Sequence, residues 1–299
     1  MRVFVTGATG FVGSAIVPEL IGAGHQVLGL ARSDTAAASL AEAGADVQRG
    51  SLEDLESLRN GAAAADAVIH AGFDHDFSKF AAAVETDRLA IETLGTTLAG
   101  SGRPFIVTSG TALAATGRVA TEEDAANSTF PRKSEEAAIW AAARGARVSV
   151  LRLPPSVHGE GDHGFVPLLI GIARQKGVSA YVEDGLNRWP AVHRLDAAHL
   201  YRLVLENGSA AFRYHAVADE GVPFREIAQV IGRRLQIRVV SQSREEAADH
   251  FGWFARFAGL DCPASSALTQ ERLGWRPTQP SLIPDIDRPN YFETKPKTL

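Results

Sequence analysis

Short apolar runs at residues 3–6, 26–30, 45–50, 67–72, 104–107 and 148–153 alternate with longer stretches in which apolar residues recur every three or four positions. The runs have the length of buried strands and the stretches the length of helices. The first stretch, 11–23, puts Val12, Ile16, Val17, Leu20 and Ile21 on one face and stops at Gly24, although Pro18 inside it predicts a bend. Residues 35–43 read as a helix ended by Gly44, and Ser51 reads as the N-cap of the next one. Residues 79–99 read as a long helix broken by Gly95 and Gly100. This order predicts an α/β fold with a doubly wound parallel sheet.

The organisation changes after residue 153, because Pro154, Pro155, Gly159, Gly161 and Gly164 crowd a segment that neither helix nor strand can traverse. An apolar helix at 165–175, a short strand at 179–182, a returning segment at 189–196, a helix at 197–206 and a last periodic helix at 223–231 follow. The expected division is a sheet domain of residues 1–153 that also receives 190–220, and a smaller C-terminal lobe of 154–189 and 221–299.

Composition narrows the partners. Of 299 residues, 45% are apolar and 22% charged, values of an ordinary soluble domain, and a net charge of −5 offers no basic face to nucleic acid or an anionic membrane. No run of about 18 apolar residues appears and the chain enters a strand at once, so a cytoplasmic protein is expected. Cys262 stands alone, which excludes an internal disulfide and a cysteine-rich metal site and leaves it a buried small hydrophobe. A small-molecule substrate is the expected partner, and the oligomeric state, including a homodimer, stays open.

The chemistry begins at Thr6-Gly7-Ala8-Thr9-Gly10-Phe11-Val12-Gly13. Gly7 suits a tight turn, Gly10 clears the approach of a pyrophosphate, and Gly13 lets helix and strand pack closely, so Thr9, Phe11 and Val12 belong to a phosphate cradle at a helix N-terminus. At the tip of the second strand, Arg32 and Ser33 suit the 2′-phosphate of NADP, while Asp34 keeps NAD open. Ser51 and Leu52 after the third strand, and the small Ala71 and Gly72 after the fourth, leave room for the cofactor along the carboxyl edge. Phe73-Asp74-His75-Asp76 reads as a polar loop near the nicotinamide, since no further ligand nearby completes a metal site. Thr108, Ser109 and Thr111 at the end of the fifth strand are candidates for holding a substrate oxygen.

Together with Arg152-Leu153-Pro154-Pro155-Ser156-Val157-His158-Gly159, Trp189 to Asp196 and Leu273-Gly274-Trp275-Arg276-Pro277, these residues resemble the short-chain dehydrogenase/reductase superfamily in its extended, NAD-dependent epimerase/dehydratase-like branch. The resemblance covers nearly the whole chain. It implies a Rossmann domain, a C-terminal substrate lobe, an active site in the cleft between them, and a Ser/Thr, Tyr, Lys catalytic group. Here the chain departs, as in an atypical subgroup: the Tyr-x-x-x-Lys positions fall on Phe130 and Ser134, and the serine position falls near Gly110 between Ser109 and Thr111. A phenyl ring donates no proton, and such acid–base help is worth about 10²–10⁴-fold. Lys133, one position away, reads either as a contact to the nicotinamide ribose or as a solvated helix-start lysine. Pro154 lies on the implied cofactor edge. His158, implied to face the cleft, reads either as a replacement acid or as a loop histidine holding its turn; His163 is a second candidate acid. His193 reads as structural, Asp196 as its helix cap, and Phe165, Tyr181 and Trp189 as an apolar pocket or plain core. The reading is an NADP-dependent oxidoreductase acting on a carbonyl or alcohol, with water or His158 as proton donor. Its rivals are a non-catalytic NADP-binding sensor and a sugar-nucleotide epimerase or dehydratase.

Overall fold

Phe4 packs on one side of its strand and Val3 and Val5 on the other, and both sides are fully buried. Such two-sided burial requires helices on both faces of a parallel sheet. The computed structural model, which describes residues 1–208 and 212–293, has that arrangement; the expected domain ranges 190–220 and 221–299 are therefore described apart from 209–211 and 294–299. In chain order the sheet half comprises β1 (Arg2–Thr6), α1 (Gly13–Gly22), β2 (Gln26–Ala31), α2 (Asp34–Glu42), β3 (Asp46–Arg49), α3 (Leu55–Ala63), β4 (Ala67–His70), α4 (Phe80–Leu98), β5 (Pro104–Gly110), α5 (Ser134–Ala142) and β6 (Arg147–Leu153). Next come β7 (Ser156–His158), α6 (Phe165–Lys176), β8 (Val178–Val182), β9 (Arg188–His193), α7 (Arg194–Asn207), β10 (Arg213–His215), β11 (Asp219–Pro223) and α8 (Phe224–Leu235). The chain continues through β12 (Arg238–Gln242), α9 (Arg244–Phe251), α10 (Ala255–Ala258), α11 (Ala267–Leu273) and α12 (Leu282–Ile286).

The main sheet runs β10-β6-β5-β4-β1-β2-β3 with every pair parallel, a Rossmann-type doubly wound sheet whose order reverses between β1 and β4. One face is closed by α1, α2 and α7, and the other by α3, α4 and α5. A second core joins α6, β8, β9, α8, α9, α10 and α12 around Trp189, Phe224, Phe251 and Phe254. Among the described residues no helix is long and apolar enough to cross a membrane.

Several expected boundaries move for local reasons. α1 begins at Gly13 and not at residue 11, because residues 7–12 form the preceding turn, and it runs unbroken through Pro18. Asp54, not Ser51, caps α3 by accepting Ser57 N–H. Gly95 does not break α4. A Cβ there would lie 2.4 Å from the Ala141 Cβ, so the glycine is the notch into which α5 fits. His193 caps α7 through Leu195 N–H, which frees Asp196 to accept Thr278 N–H (2.9 Å) and Gln279 N–H (3.0 Å) and so fasten the segment after α11.

The edge of the sheet is fastened by ions. Fully buried Arg152 on β6 donates twice to Glu135 on α5 (2.7 and 2.8 Å), and Arg213 on β10 donates to the same carboxylate (3.0 Å). Burial pushes the Glu135 carboxyl up, but these hydrogen bonds and the Arg152 charge outweigh it and hold it below its ordinary value. Arg152 Nη1 also meets His215 Nε2 (3.1 Å), whose Nδ1 faces Ser265 O (2.8 Å). Burial chiefly, with the Arg152 charge and against the pull of Glu122, lowers His215 to about 4, so the ring is neutral and accepts from Arg152 while donating to Ser265. Thr269 Oγ1 closes the set, accepting His215 N–H (2.8 Å) and donating to buried Glu122 (2.6 Å).

Gly95→Ala is therefore expected to destabilise the protein by about 1–3 kcal/mol through overpacking, despite alanine's better helix propensity. Thermal unfolding checks this, and Ala141→Gly in the same chain should recover most of the lost melting temperature; a Gly95→Ala chain as stable as the parent would refute the notch.

Candidate functional site

In open sheets of this kind ligands bind outside the carboxyl ends of the strands, where the strand order reverses. Here that point is the β1–α1 turn beside the end of β4. Gly7 has φ +66°, and a Cβ on it would sit 2.6 Å from Gly72 N and 2.7 Å from Ala71 O. A Cβ on Gly13 would come within 2.0 Å of Gly7 O, whereas at Gly10 the nearest atom is Gly7 O at 3.2 Å and the rest of the space is open. The turn is thus closed on its inner side and open above Gly10. The backbone N–H groups of Phe11, Val12 and Gly13 donate to no described residue, leaving an anion cradle at the start of α1. The residues present fit a dinucleotide pyrophosphate.

At the adenosine end, exposed Arg32 makes no hydrogen bond or ion pair with a described residue, and Ser33 caps α2 through Ala36 N–H (3.1 Å). Asp34 is paired with Arg49. Ser51 Oγ accepts Glu53 and Asp54 N–H (3.3 Å each), and Leu52 packs over Gly72. Phe11 lies between the His163 ring (5.5 Å) and the Arg194 guanidinium (4.7 Å). Arg194 in turn donates to Ser14 Oγ (2.7 Å) and Glu160 O (2.8 Å), tying loop 159–164 to the cradle helix.

The hydroxyls at the end of β5 diverge. Successive strand residues face opposite sides of a sheet, so Thr108 points to α7, with Oγ1 2.6 Å from Tyr201 OH, while Ser109 points to α5 and donates to Glu135 (3.0 Å). Thr111 is fully buried in the following turn, its Oγ1 without a described partner. The three residues expected to converge on one oxygen do not. His158, expected to face the cleft, is fully buried: Nδ1 meets Asp285 Oδ2 (2.8 Å) and the ring packs on His193 (5.4 Å), so β7 is joined to α12. Lys133 Nζ turns to Ser128 O (2.8 Å) and Glu136 (3.3 Å), and Pro154 is buried directly after β6. Phe165 and Trp189 belong to an aromatic group with Phe254 and Phe257 in the lobe. A separate surface hollow of about 410 Å³, lined in part by Glu183, Asn187, Arg244 and Arg256, shares no residue with the carboxyl edge of the main sheet.

What stands at the carboxyl edge is a polar chain absent from the sequence-based expectations. Gly72 N–H donates to Thr6 Oγ1 (3.3 Å), Thr6 Oγ1 meets His70 Nδ1 (2.8 Å), and His70 Nε2 meets Asp87 Oδ1 (3.1 Å). On the other carboxylate oxygen, Ser134 Oγ donates to Asp87 Oδ2 (2.5 Å) and accepts Arg132 Nε–H (2.8 Å). Arg132 Nη2 donates to Thr108 O (3.2 Å), and the guanidinium lies over the Phe73 ring (4.2 Å). Burial would raise Asp87, but the Arg132 charge and the hydrogen bonds from His70 and Ser134 hold it below its ordinary value. Loss of hydration, then the Arg132 charge, lowers the pKa of His75, whose outer surface is nonetheless exposed. Burial raises the Tyr201 phenol. One signal was available in the sequence: Asp87 occupies the apolar stripe of Ala83, Ala90, Ile91 and Leu94 on α4, where a lone charge needs a buried partner.

Comparison with known proteins agrees with this geometry. Residues 3–217 match the NAD dependent epimerase/dehydratase family. Over 295 residues the chain is 51% identical to the Uncharacterized protein C2A9.02 of Schizosaccharomyces pombe, covering 98% of this chain and 100% of that protein. A 4-hydroxy-2-methyl-3-oxo-4-farnesyl-3,4-dihydroquinoline-1-oxide ketoreductase of Stigmatella aurantiaca is 26% identical over 287 residues, 88% of this chain and 84% of that one. Among solved structures, DesIV, a dTDP-glucose 4,6-dehydratase from Streptomyces venezuelae with NAD and TYD bound, aligns with a TM-score of 0.77 over 98% of this chain and 97% of its own. At 22% identity that likeness concerns the fold.

Loop 159–164 yields a pH test. Asp162 accepts Gly164 N–H (2.7 Å) and faces the Tyr291 hydroxyl (3.3 Å), and burial raises it to about 6 against those hydrogen bonds. A folded pKa above the unfolded one gives a contribution that is complete below pH ~4 and lost as pH rises through about 6. Asp162→Asn should therefore melt above the parent at neutral pH and equal to it in acid, as melting curves across that range would show; a gap independent of pH would contradict it.

Proposed function

Because the chain belongs to the NAD dependent epimerase/dehydratase family, we propose that it is an NADP-dependent oxidoreductase moving hydride between the nicotinamide and the carbonyl or alcohol carbon of a small, partly apolar substrate. The supporting observation is the cradle of Gly7, Gly10 and Gly13, whose three N–H groups have no partner among the described residues, with Arg32 at the end of β2 likewise unpaired among them. In this reading Thr9 to Gly13 hold the pyrophosphate, Arg32 and Ser33 the 2′-phosphate, and Ser51, Leu52, Ala71 and Gly72 border the cofactor's path toward the Thr108 end of the sheet. When bound, the nicotinamide supplies or removes the hydride. The ketoreductase relative supports carbonyl chemistry. Arg188, a cation in the lobe that could meet a charged substrate, is already paired with Asp261 (3.0 Å).

A second reading, a sensor that binds the cofactor without turnover, draws on Phe130: no hydroxyl stands at the position where the family resemblance implies a tyrosine. NADPH oxidation against aldehydes, ketones and imines separates the two, with NADPH fluorescence recorded before substrate is added. Turnover is the expected outcome; a fluorescence change with no turnover across the panel would favour the sensor. Arg32→Ala should weaken NADPH by about tenfold through loss of one charged phosphate contact while leaving NADH unchanged. Equal losses for both nucleotides would remove the preference for NADP.

A further inference from the structure

Arg132 is a cation at the carboxyl edge of β4 and β5 whose hydrogen-bonding capacity is only partly used by the described residues. Of its five N–H groups, Nε–H goes to Ser134 and one on Nη2 goes to Thr108 O, while Nη1 bonds no described residue and the side chain is 17% exposed. Its plane is fixed from three directions: the Phe73 ring beneath it, the Thr108 carbonyl beside it, and Ser134 behind it. The third support is itself anchored, because Ser134 donates to Asp87, Asp87 takes His70, and His70 leans on Thr6 at the cradle. With a proton on His70 Nε2 and the Thr6 hydroxyl donating to Nδ1, every hydroxyl in this chain accepts on one side and donates on the other. Asp87 neutralises the buried charge from 3.9 Å without occupying the guanidinium face. A donor held this firmly needs no rearrangement to meet a developing negative charge.

We propose that Arg132 binds the substrate's carbonyl oxygen and stabilises the oxyanion, taking over the hydrogen-bonding half of the work for which Phe130 has no hydroxyl. The inference rests on the oxidoreductase reading. As hydride reaches the carbonyl carbon, the π pair of C=O moves onto oxygen, the Nη1 N–H groups hold the resulting alkoxide, and a proton from solvent completes the alcohol; the nicotinamide is the species oxidised. An arginine stays charged at any working pH, so it acts as an electrophile and not as the acid. Lys133, whose ammonium is turned outward to Ser128 and Glu136, takes no part.

The test uses a carboxylate as a stable mimic of the oxyanion. Acetate is titrated at constant ionic strength into the protein–NADPH complex while NADPH fluorescence is followed, for the parent, Arg132→Ala, Arg132→Gln and Lys133→Ala, with melting temperatures as a check of folding. A saturable response is expected in the parent and in Lys133→Ala, weakened by about 10–100-fold in both Arg132 variants with their NADPH affinity retained. Carbonyl reduction should fall about 10²–10³-fold in Arg132→Ala. No acetate response in the parent, or an equal one in Arg132→Ala, overturns the assignment. Failure of the parent to bind NADPH overturns the oxidoreductase reading and this inference with it. An Arg132-dependent acetate response with no turnover of any carbonyl leaves the oxygen-binding role standing and removes the reductase.

Discussion

Three strands of backbone meet with no side chain between them at the reversal point of the sheet. Gly13 passes so close to Gly7 O, and Gly7 so close to the Ala71–Gly72 peptide, that a methyl group on Gly13 would force α1 off the turn after β1, and one on Gly7 would force that turn off the end of β4. This contact sets the height at which α1 stands above the sheet, and with it the direction in which its free N–H groups point. It also places Gly72 N–H on Thr6 Oγ1, the first link of the polar chain that ends at Arg132. Cradle and candidate oxygen site are thus two ends of one hydrogen-bonded structure rather than neighbours by chance.

Burying that chain is expensive unless every group in it has a partner, since an isolated buried carboxylate or hydroxyl loses its hydration with nothing in return. Asp87 meets the requirement with His70 on one oxygen and Ser134 on the other, and Arg132 offsets its charge. The Glu135, Arg152 and Arg213 group is the same solution on the far edge of the sheet, where two arginines and the Ser109 hydroxyl share one buried carboxylate. Both groups hang from the start of α5, so residues 132–135 fix two parts of the molecule at once.

The strands, their parallel order and the glycine turn after β1 were legible because two-sided burial writes continuous apolar runs and because a glycine at φ +66° has few substitutes. The hydroxyls were not legible as a set. Thr108 and Ser109 are adjacent in sequence and opposite in space, a distinction that depends on which face of β5 each residue takes and therefore on the register of the whole sheet. His158 sits beside turn residues that suggest exposure, yet Asp285, 127 residues downstream, holds its ring in the interior, and Tyr291 fastens the adjacent Gly159. Arg132 stood next to the lysine singled out by spacing; only the turn before α5, which sends Lys133 outward and Arg132 inward, decides between them.

The buried arginine on β6 has a consequence for how the chain is made. One partner arrives late: Glu135 and the Asp124 carbonyl precede it, but His215 lies 63 residues beyond, and the Thr269 that completes the set with Glu122 is separated from that glutamate by 147. A nascent chain that has finished β1 to β6 therefore carries an open sheet edge and a guanidinium that still lacks its His215 partner. Synthesis at about 5–20 residues per second keeps it so for several seconds. During that interval the exposed edge of β6 is a site for chaperone capture or for pairing with another unfinished chain, and the arrival of β10 ends the exposure.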